Sequence, residues 1–330
     1  MTHTSPKVQL FALDGHGAAR AAELQEFSVT PESTDAGVFG FAWVHCGTDR
    51  DAAAAELALF HLDHFVIDAL TADETRPRST VHGDGVIINL RGVNLNEGSD
   101  PEDMISVRLW VEQGRIIGVW KRPLKAIADM FDAMDRGKAP ETPGDFIAKL
   151  SLRLSDRAEP IVAALNEEID TLEDTLADGT LSEARRTLAD IRHTATVLRR
   201  YMFPQRDALT TLEIEDVSWL LPQDRSRIRE AADRVTRMAE ELDAIRDRAQ
   251  IVQDQIMDQR AEAMNRQMLL LSIVAAIFLP LGLLTGLLGV NVGGIPLAQN
   301  PWGFAIVCVI LGVVCAGQIW LFKLMKMFDS

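Results

Sequence analysis

Two long uncharged apolar runs near the C-terminus constrain this chain more than any other feature. They are Met268 to Val290 (MLLLSIVAAIFLPLGLLTGLLGV) and Pro301 to Phe322 (PWGFAIVCVILGVVCAGQIWLF), joined by Asn291 to Asn300 (NVGGIPLAQN). About 20 apolar residues at ~1.5 Å per residue cross a ~30 Å hydrocarbon core, so each run is long enough to span a bilayer. A soluble protein with a buried C-terminal hairpin is the alternative, but two such runs exceed ordinary core helices. The rest of the chain is polar and acidic. Only two of the 33 Lys and Arg and one of the 48 Asp and Glu lie beyond Gln267, which leaves a net charge of −16 before the spans. That balance argues against nucleic acid, which requires clustered Lys and Arg, and suits cations or simple solubility.

The flanks set the topology. Arg260 and Arg266 precede the first span, Lys323 and Lys326 follow the second, and the hinge carries no charge. The excess of positive residues on cytoplasmic segments puts both termini in the cytoplasm and the hinge outside. The N-terminus lacks a signal-peptide pattern, and Cys46, Cys308 and Cys315 form neither a disulfide framework nor a CxxC pair.

The fold class expected is an α+β cytoplasmic domain, then a long-helix coiled-coil stalk, then a two-helix transmembrane hairpin. Residues 1–142 form the first part. Val8 to Leu13, Val38 to Cys46 and Gly85 to Val93 read as strands, and Ile105 to Glu112 with Arg115 to Lys121 as a hairpin turning at Gln113-Gly114. Helices are expected over Asp51 to Leu59, Leu62 to Thr71 and Pro123 to Asp135. The Pro140-Glu141-Thr142-Pro143-Gly144 stretch breaks the pattern.

Residues 143–267 turn wholly helical. Ile147, Leu150, Leu154, Ile161, Leu165, Leu172 and Leu176 mark one amphipathic stripe, ended by Asp178-Gly179; Leu181, Ala184, Leu188, Ile191 and Leu198 mark a return helix. From Gln223 to Leu279 there is no Gly or Pro. Ile228, Val235, Leu242, Ala249 and Ile256 repeat every seven residues, with Ala231, Met238, Ile245 and Val252 three residues after each. This sustained heptad predicts a packed seam on one helix from about Asp224 through Leu288, ~100 Å long. The remaining segments are the first span (268–290), the outer loop (291–300), the second span (301–322) and a cytoplasmic tail (323–330).

Pro280 removes one helix hydrogen bond inside the first span and predicts a kink or local loosening. Gly282, Gly286 and Gly289 permit close helix approach in lipid; packing is the plainest role for Gly286 and Gly289. Asn291 is the one strongly polar side chain at the outer end of that helix. In a symmetric oligomer its copies make a ring of amide oxygens able to bond a hydrated cation's water shell; helix capping by Asn explains it equally well. His61, Asp63 and His64 suggest a cytoplasmic metal site on one helix face, against the plainer account of a polar surface helix. Cys308 and Cys315 share a face of the second span, where small apolar packing outweighs a zinc pair. Glu167, Glu168, Glu173, Asp174 and Asp178 either concentrate cations or form a solvated face. There is no GxxxxGK[ST] loop for ATP-driven pumping, and neither span holds an ionisable group to carry a proton.

Gly289-Val290-Asn291, at the outer end of a stalk helix that enters the first of two C-terminal spans, resembles the Gly-x-Asn signature of the CorA superfamily of divalent-cation transporters. Its GVN form, with Asp73 to Arg78 (DETRPR) and Arg91 to Trp110 (RGVNLNEGSDPEDMISVRLW), is similar to the zinc-transporting ZntB-like branch rather than the magnesium branch, which usually has Met in the middle. The resemblance covers essentially the whole chain. It implies a homopentamer in the plasma (cell inner) membrane, in contact with lipid, that is not an enzyme. It needs no cofactor and carries zinc as cargo, with magnesium or cobalt as the alternative. The implied pore face is Asn265, Met268, Leu271, Ser272, Ala275, Leu279, Gly282, Gly286 and Asn291. The hinge lacks the acidic residue that magnesium-branch relatives often place there, so an outer charge trap is not expected. The pore face offers no Cys, His, Asp or Glu, whereas dehydrated zinc wants N and S ligands; passage of a largely hydrated ion follows. Outside this class, a membrane-anchored coiled-coil scaffold or sensor is the competing reading.

Overall fold

Short apolar segments rich in β-branched and aromatic residues build a seven-stranded mixed sheet whose central strands are buried on both faces. The computed structural model describes residues 8–24, 39–45, 50–73, 76–177, 181–290, 295 and 300–324. The strands are β1 (Val8–Leu13), β2 (Ala19–Ala21), β3 (Phe39–His45), β4 (Arg78–His82), β5 (Gly85–Gly92), β6 (Ile105–Glu112) and β7 (Arg115–Trp120), in the order β2-β1-β3-β7-β6-β5-β4. Only β3 and β7 run parallel; the other neighbours are antiparallel. The β6–β7 hairpin turns where expected, with Glu112 opposite Arg115. Strand β3 begins at Phe39 and ends at His45; Val38 and Cys46 fall outside the described residues. Strands β2 and β4 were not expected.

The helices are α1 (Arg50–Ala58), α2 (His64–Thr71), α3 (Lys125–Asp135), α4 (Pro143–Ala177), α5 (Leu181–Ile214), α6 (Pro222–Leu288) and α7 (Gly303–Leu324). On one face of the sheet, Ala42, Val44, Ile87, Trp110, Ile117 and Val119 bury against Leu57, Phe60, Val66 and Leu70 from α1, α2 and the turn between them. On the other, Phe41 meets Phe146 of α4 at 4.5 Å between ring centroids. A Cβ at Gly118 would lie 2.3 Å from the Trp43 ring, so that ring needs a glycine beneath it.

Two expected boundaries move for local reasons. Helix α2 starts at His64 rather than Leu62 because the Asp63 carboxylate accepts the Phe65 N–H at 2.7 Å and caps it. The Pro140–Gly144 break is a helix start: Thr142 Oγ1 accepts the Asp145 N–H at 3.0 Å, and Pro143 takes the first helical position. Along α4 the stripe runs through Ile147, Leu150, Leu154, Val162, Leu165, Ile169 and Leu172, all buried. Ile161, expected in that stripe, is only half-buried. The Leu176 side chain and residues 178–180 lie outside the described residues.

The long helix is a single element of 67 residues, Pro222 to Leu288. Every seam residue predicted from the heptad is buried, none more than 4 % exposed. Charged contacts flank the seam. Arg227 to Asp145 (2.6 Å), Arg234 to Asp156 (2.7 Å) and Arg248 to Asp170 (2.5 Å) and Glu173 (2.7 Å) tie α6 to α4. Arg199 to Asp243 (2.5 Å) and an Arg229–Glu213 pair tie it to α5. The chain divides into two compact units, one ending at Val252 and one beginning at Gln253, and α6 contributes to both.

Candidate functional site

The second unit holds the two apolar helices. Both are long and apolar enough to cross a membrane, and neither buries any of its apolar window within the chain. A buried C-terminal hairpin, the soluble alternative, is therefore not what this chain forms. Helix α6 continues past Pro280 without a break in its helical span. Proline has no N–H, so the carbonyl four residues back, that of Ala276, loses its helical donor. Gln318, the lone amide side chain within the second span, donates from Nε2 to that carbonyl at 3.1 Å. An unbonded carbonyl in hydrocarbon costs several kcal/mol, and this contact removes the cost.

Partial cover on α6 follows the same side: Leu269, Ile273, Ile277, Pro280, Leu281 and Leu284 are half-buried at helical spacing. On α7 the half-buried positions Val307, Leu311, Val314, Gln318 and Phe322 form the matching stripe. The described residues expected to face a pore lie off this stripe and are exposed: Asn265, Met268, Leu271, Ser272, Ala275, Leu279, Gly282 and Gly286. Leu279 is 77 % and Leu271 67 % exposed. At 100° per residue this set centres roughly opposite the stripe that α7 covers. Among the described residues nothing lies within 4 Å of a Cβ built at Gly282 or Gly286, so no described neighbour requires a glycine at either position.

At the C-terminal end of α6, the Gly289 N–H reaches the Thr285 carbonyl at 2.9 Å, and the Thr285 hydroxyl bonds Leu281 O (2.9 Å) and Gly282 O (3.1 Å). Val290 is exposed. Asn291 lies outside the described residues. Across the hinge, Asn300 Oδ1 accepts the Trp302 N–H at 2.9 Å and opens α7.

The histidine group does not share a helix face. His61 sits in a turn at φ +52°, before α2 begins. Asp63 caps α2 and its other oxygen lies 3.3 Å from His82 Nε2, while His64 pairs with Asp68 at 3.0 Å. The Phe65 N–H, then His82, holds the Asp63 carboxyl below the usual carboxylate range. Among the described residues no group of three or more His, Cys, Asp or Glu is arranged to hold a metal. Cys308 is exposed and Cys315 half-buried, both as free thiols. Of the acidic run, Glu173 is engaged with Arg248, whose guanidinium also reaches Asn166 at 3.2 Å; Asp178 lies outside the described residues.

Sequence reasoning missed Gln318 as the partner of the Pro280 site; a glutamine inside an otherwise apolar span was the signal. It also missed Arg108, buried in β6, which donates to the Leu70 carbonyl at the end of α2 at 2.9 Å.

Comparisons with known proteins fit this architecture. The family model of CorA-like Mg2+ transporter proteins matches residues 39–324. The divalent cation transporter CmaX of Pseudomonas aeruginosa is 36 % identical over 324 residues, 96 % of this chain and 95 % of its own. The zinc transport protein ZntB of Pectobacterium carotovorum is 35 % identical over 323 residues, 98 % of this chain and 96 % of its own. The solved structure of full-length CmaX superposes with a TM-score of 0.82 at 34 % identity, covering 98 % of this chain and all of that one. The CorA magnesium transporter of Methanocaldococcus jannaschii shares the fold, with a TM-score of 0.77 at 18 % identity over 95 % of this chain and 97 % of that one.

Proposed function

This chain belongs to the CorA family of divalent-cation transporters, which are not enzymes, and from that premise we propose that it assembles as a homopentamer conducting zinc across the cell inner membrane. The observation that carries the reading is the exposed face of α6. One side of the span is partly covered by α7 and the other, with Leu271, Ala275, Leu279 and Gly282, is exposed among the described residues. Two helices cannot enclose a conduit, so copies must supply the rest.

In this reading five α6 helices line the path and the α7 helices surround them against lipid. Both termini are cytoplasmic, as the positive flanks favour. Gly289, Val290 and Asn291 form the outer ring, where the amide of Asn291 bonds the water shell of the ion. The path has no side chain that would replace that shell around zinc, so the ion passes largely hydrated. Zinc is cargo, and no resident cofactor is required. The membrane potential, worth ~2.3 kcal/mol per charge per 100 mV, suffices to draw in a divalent cation; coupling to protons would have to use groups outside the spans.

Purified protein in liposomes loaded with a zinc-sensitive dye tests this. Zinc uptake above empty vesicles, weakly affected by excess magnesium, is the expected result. Uptake that magnesium or cobalt abolishes reassigns the cargo. No uptake of any divalent cation, with the oligomer intact, leaves the scaffold reading in place.

A further inference from the structure

Five of the described methionines, Met104, Met130, Met134, Met202 and Met238, are at most 5 % exposed, as suits a long apolar side chain. Three are not: Met257, Met264 and Met268 are 58 %, 64 % and 59 % exposed. All three stand on α6, seven and four residues apart, and fall within about 40° of one another around the helix. Their neighbours, such as Gln259, Arg260, Glu262 and Gln267, are polar and solvated. The line ends in the face that carries Leu271 and Ala275.

We propose that Met264 and Met268, one helical turn apart and extended by Met257, form a thioether site for a soft monovalent cation of the Cu(I) or Ag(I) class. Thioether sulfur selects soft cations and has little hold on hydrated zinc or magnesium. Each methionine has three rotatable side-chain bonds, so one chain can offer two sulfurs to a single ion. Binding is coordination alone, with no electron transfer. Such a site lets the cargo pass yet holds a soft cation at the cytoplasmic mouth of the conduit, where it blocks flux. The block rests on the proposed transport reading; the binding does not.

Replacement by Leu separates ligation from apolar packing, because Met and Leu are close in volume. The test uses full-length protein with Cys46, Cys308 and Cys315 changed to Ala, in chloride-free buffer, with silver nitrate as probe. Equilibrium dialysis and metal analysis are expected to show silver bound to this parent, with affinity at least about ten-fold weaker in Met264→Leu and in Met264→Leu/Met268→Leu. In liposomes, silver is expected to lower zinc flux of the parent about ten-fold and to leave the double variant unaffected. A parent that binds no silver overturns the site, as does equal binding by parent and Leu variants. Silver binding that follows the Leu series in a protein without zinc flux would sink the transport reading and keep the site.

Discussion

Gln318 Nε2 lies 3.1 Å from the Ala276 carbonyl, the one acceptor in the first span whose helical donor is replaced by Pro280. The proline and the glutamine are thus one feature shared by two helices. The Gln318 Oε1 atom is itself buried without a hydrogen-bond partner among the described residues.

Gln318→Leu is expected to weaken the pairing of the two spans by ~1 kcal/mol, within the range measured for side-chain hydrogen bonds in membranes. Pro280→Ala restores a helical N–H donor to the Ala276 carbonyl, so in that background the loss of Gln318 should cost less. A double-mutant cycle read by equilibrium unfolding in mixed micelles measures the difference, about 0.5–1 kcal/mol of coupling. Additive effects would mean that the two residues act separately.

Asn291→Ala is expected to lower zinc flux about ten-fold or more, or to relax discrimination among cations, while the oligomer stays intact by size-exclusion chromatography. Unchanged flux and selectivity would remove the outer amide ring from the mechanism.

Asp224 is fully buried near the start of α6. Its Oδ2 accepts the Leu221 N–H at 3.2 Å and the Thr142 hydroxyl at 3.3 Å, while Oδ1 has no hydrogen-bond partner among the described residues. Burial, helped by nearby Asp145 and opposed by the Leu221 N–H, pushes its pKa above the ordinary 3.8. The folded state therefore binds this proton more tightly than the unfolded chain. Its contribution to stability falls as pH rises from 3.8 through the raised native value. Asp63, Asp73 and Asp103 shift downward, and what they contribute is lost as pH falls below 3.8. Thermal unfolding of wild type and Asp224→Asn in detergent between about pH 4 and 7 should show the falling slope in wild type and its loss in the variant.

A Cβ at Gly144 would sit 2.4 Å from Asp224 Oδ2 and 2.9 Å from the Trp219 carbonyl. The carbonyl is backbone and cannot swing aside. Gly144→Ala should destabilise the protein by about 1–3 kcal/mol, the usual range for overpacking, seen as a lower unfolding midpoint. A midpoint equal to that of wild type would show that the junction between the α4 and α6 starts has slack.

The elements with strong periodicity were legible before the structure. The heptad from Ile228 to Ile256 predicted a buried seam position by position, because a seven-residue repeat leaves one way to face a neighbour. Edge strand β4 was not legible, since its Arg78-Ser79-Thr80-Val81-His82 sequence lacks an apolar face. Nor were the Thr142–Asp224 bond, across 82 positions, and the Gln318–Ala276 bond, across 42; such pairs depend on where helices meet. Among the candidate site residues, the eight from Asn265 to Gly286 lie on one exposed side of α6. His61 and His64 did not share a helix side, because the Asp63 cap starts the helix at His64 and leaves His61 in the turn before it.

Helix α6 is a stiff strut with one compliant joint. Over its 67 residues the proline at position 280 is the only one inside the helix, so resistance to bending and twisting drops at the Ala276–Pro280 turn and nowhere else for this reason. The joint is braced from the side by Gln318. Without that amide the segment beyond Pro280 would join the rest of α6 through a turn that lacks one backbone hydrogen bond, so the second apolar helix contributes to the stiffness of the first.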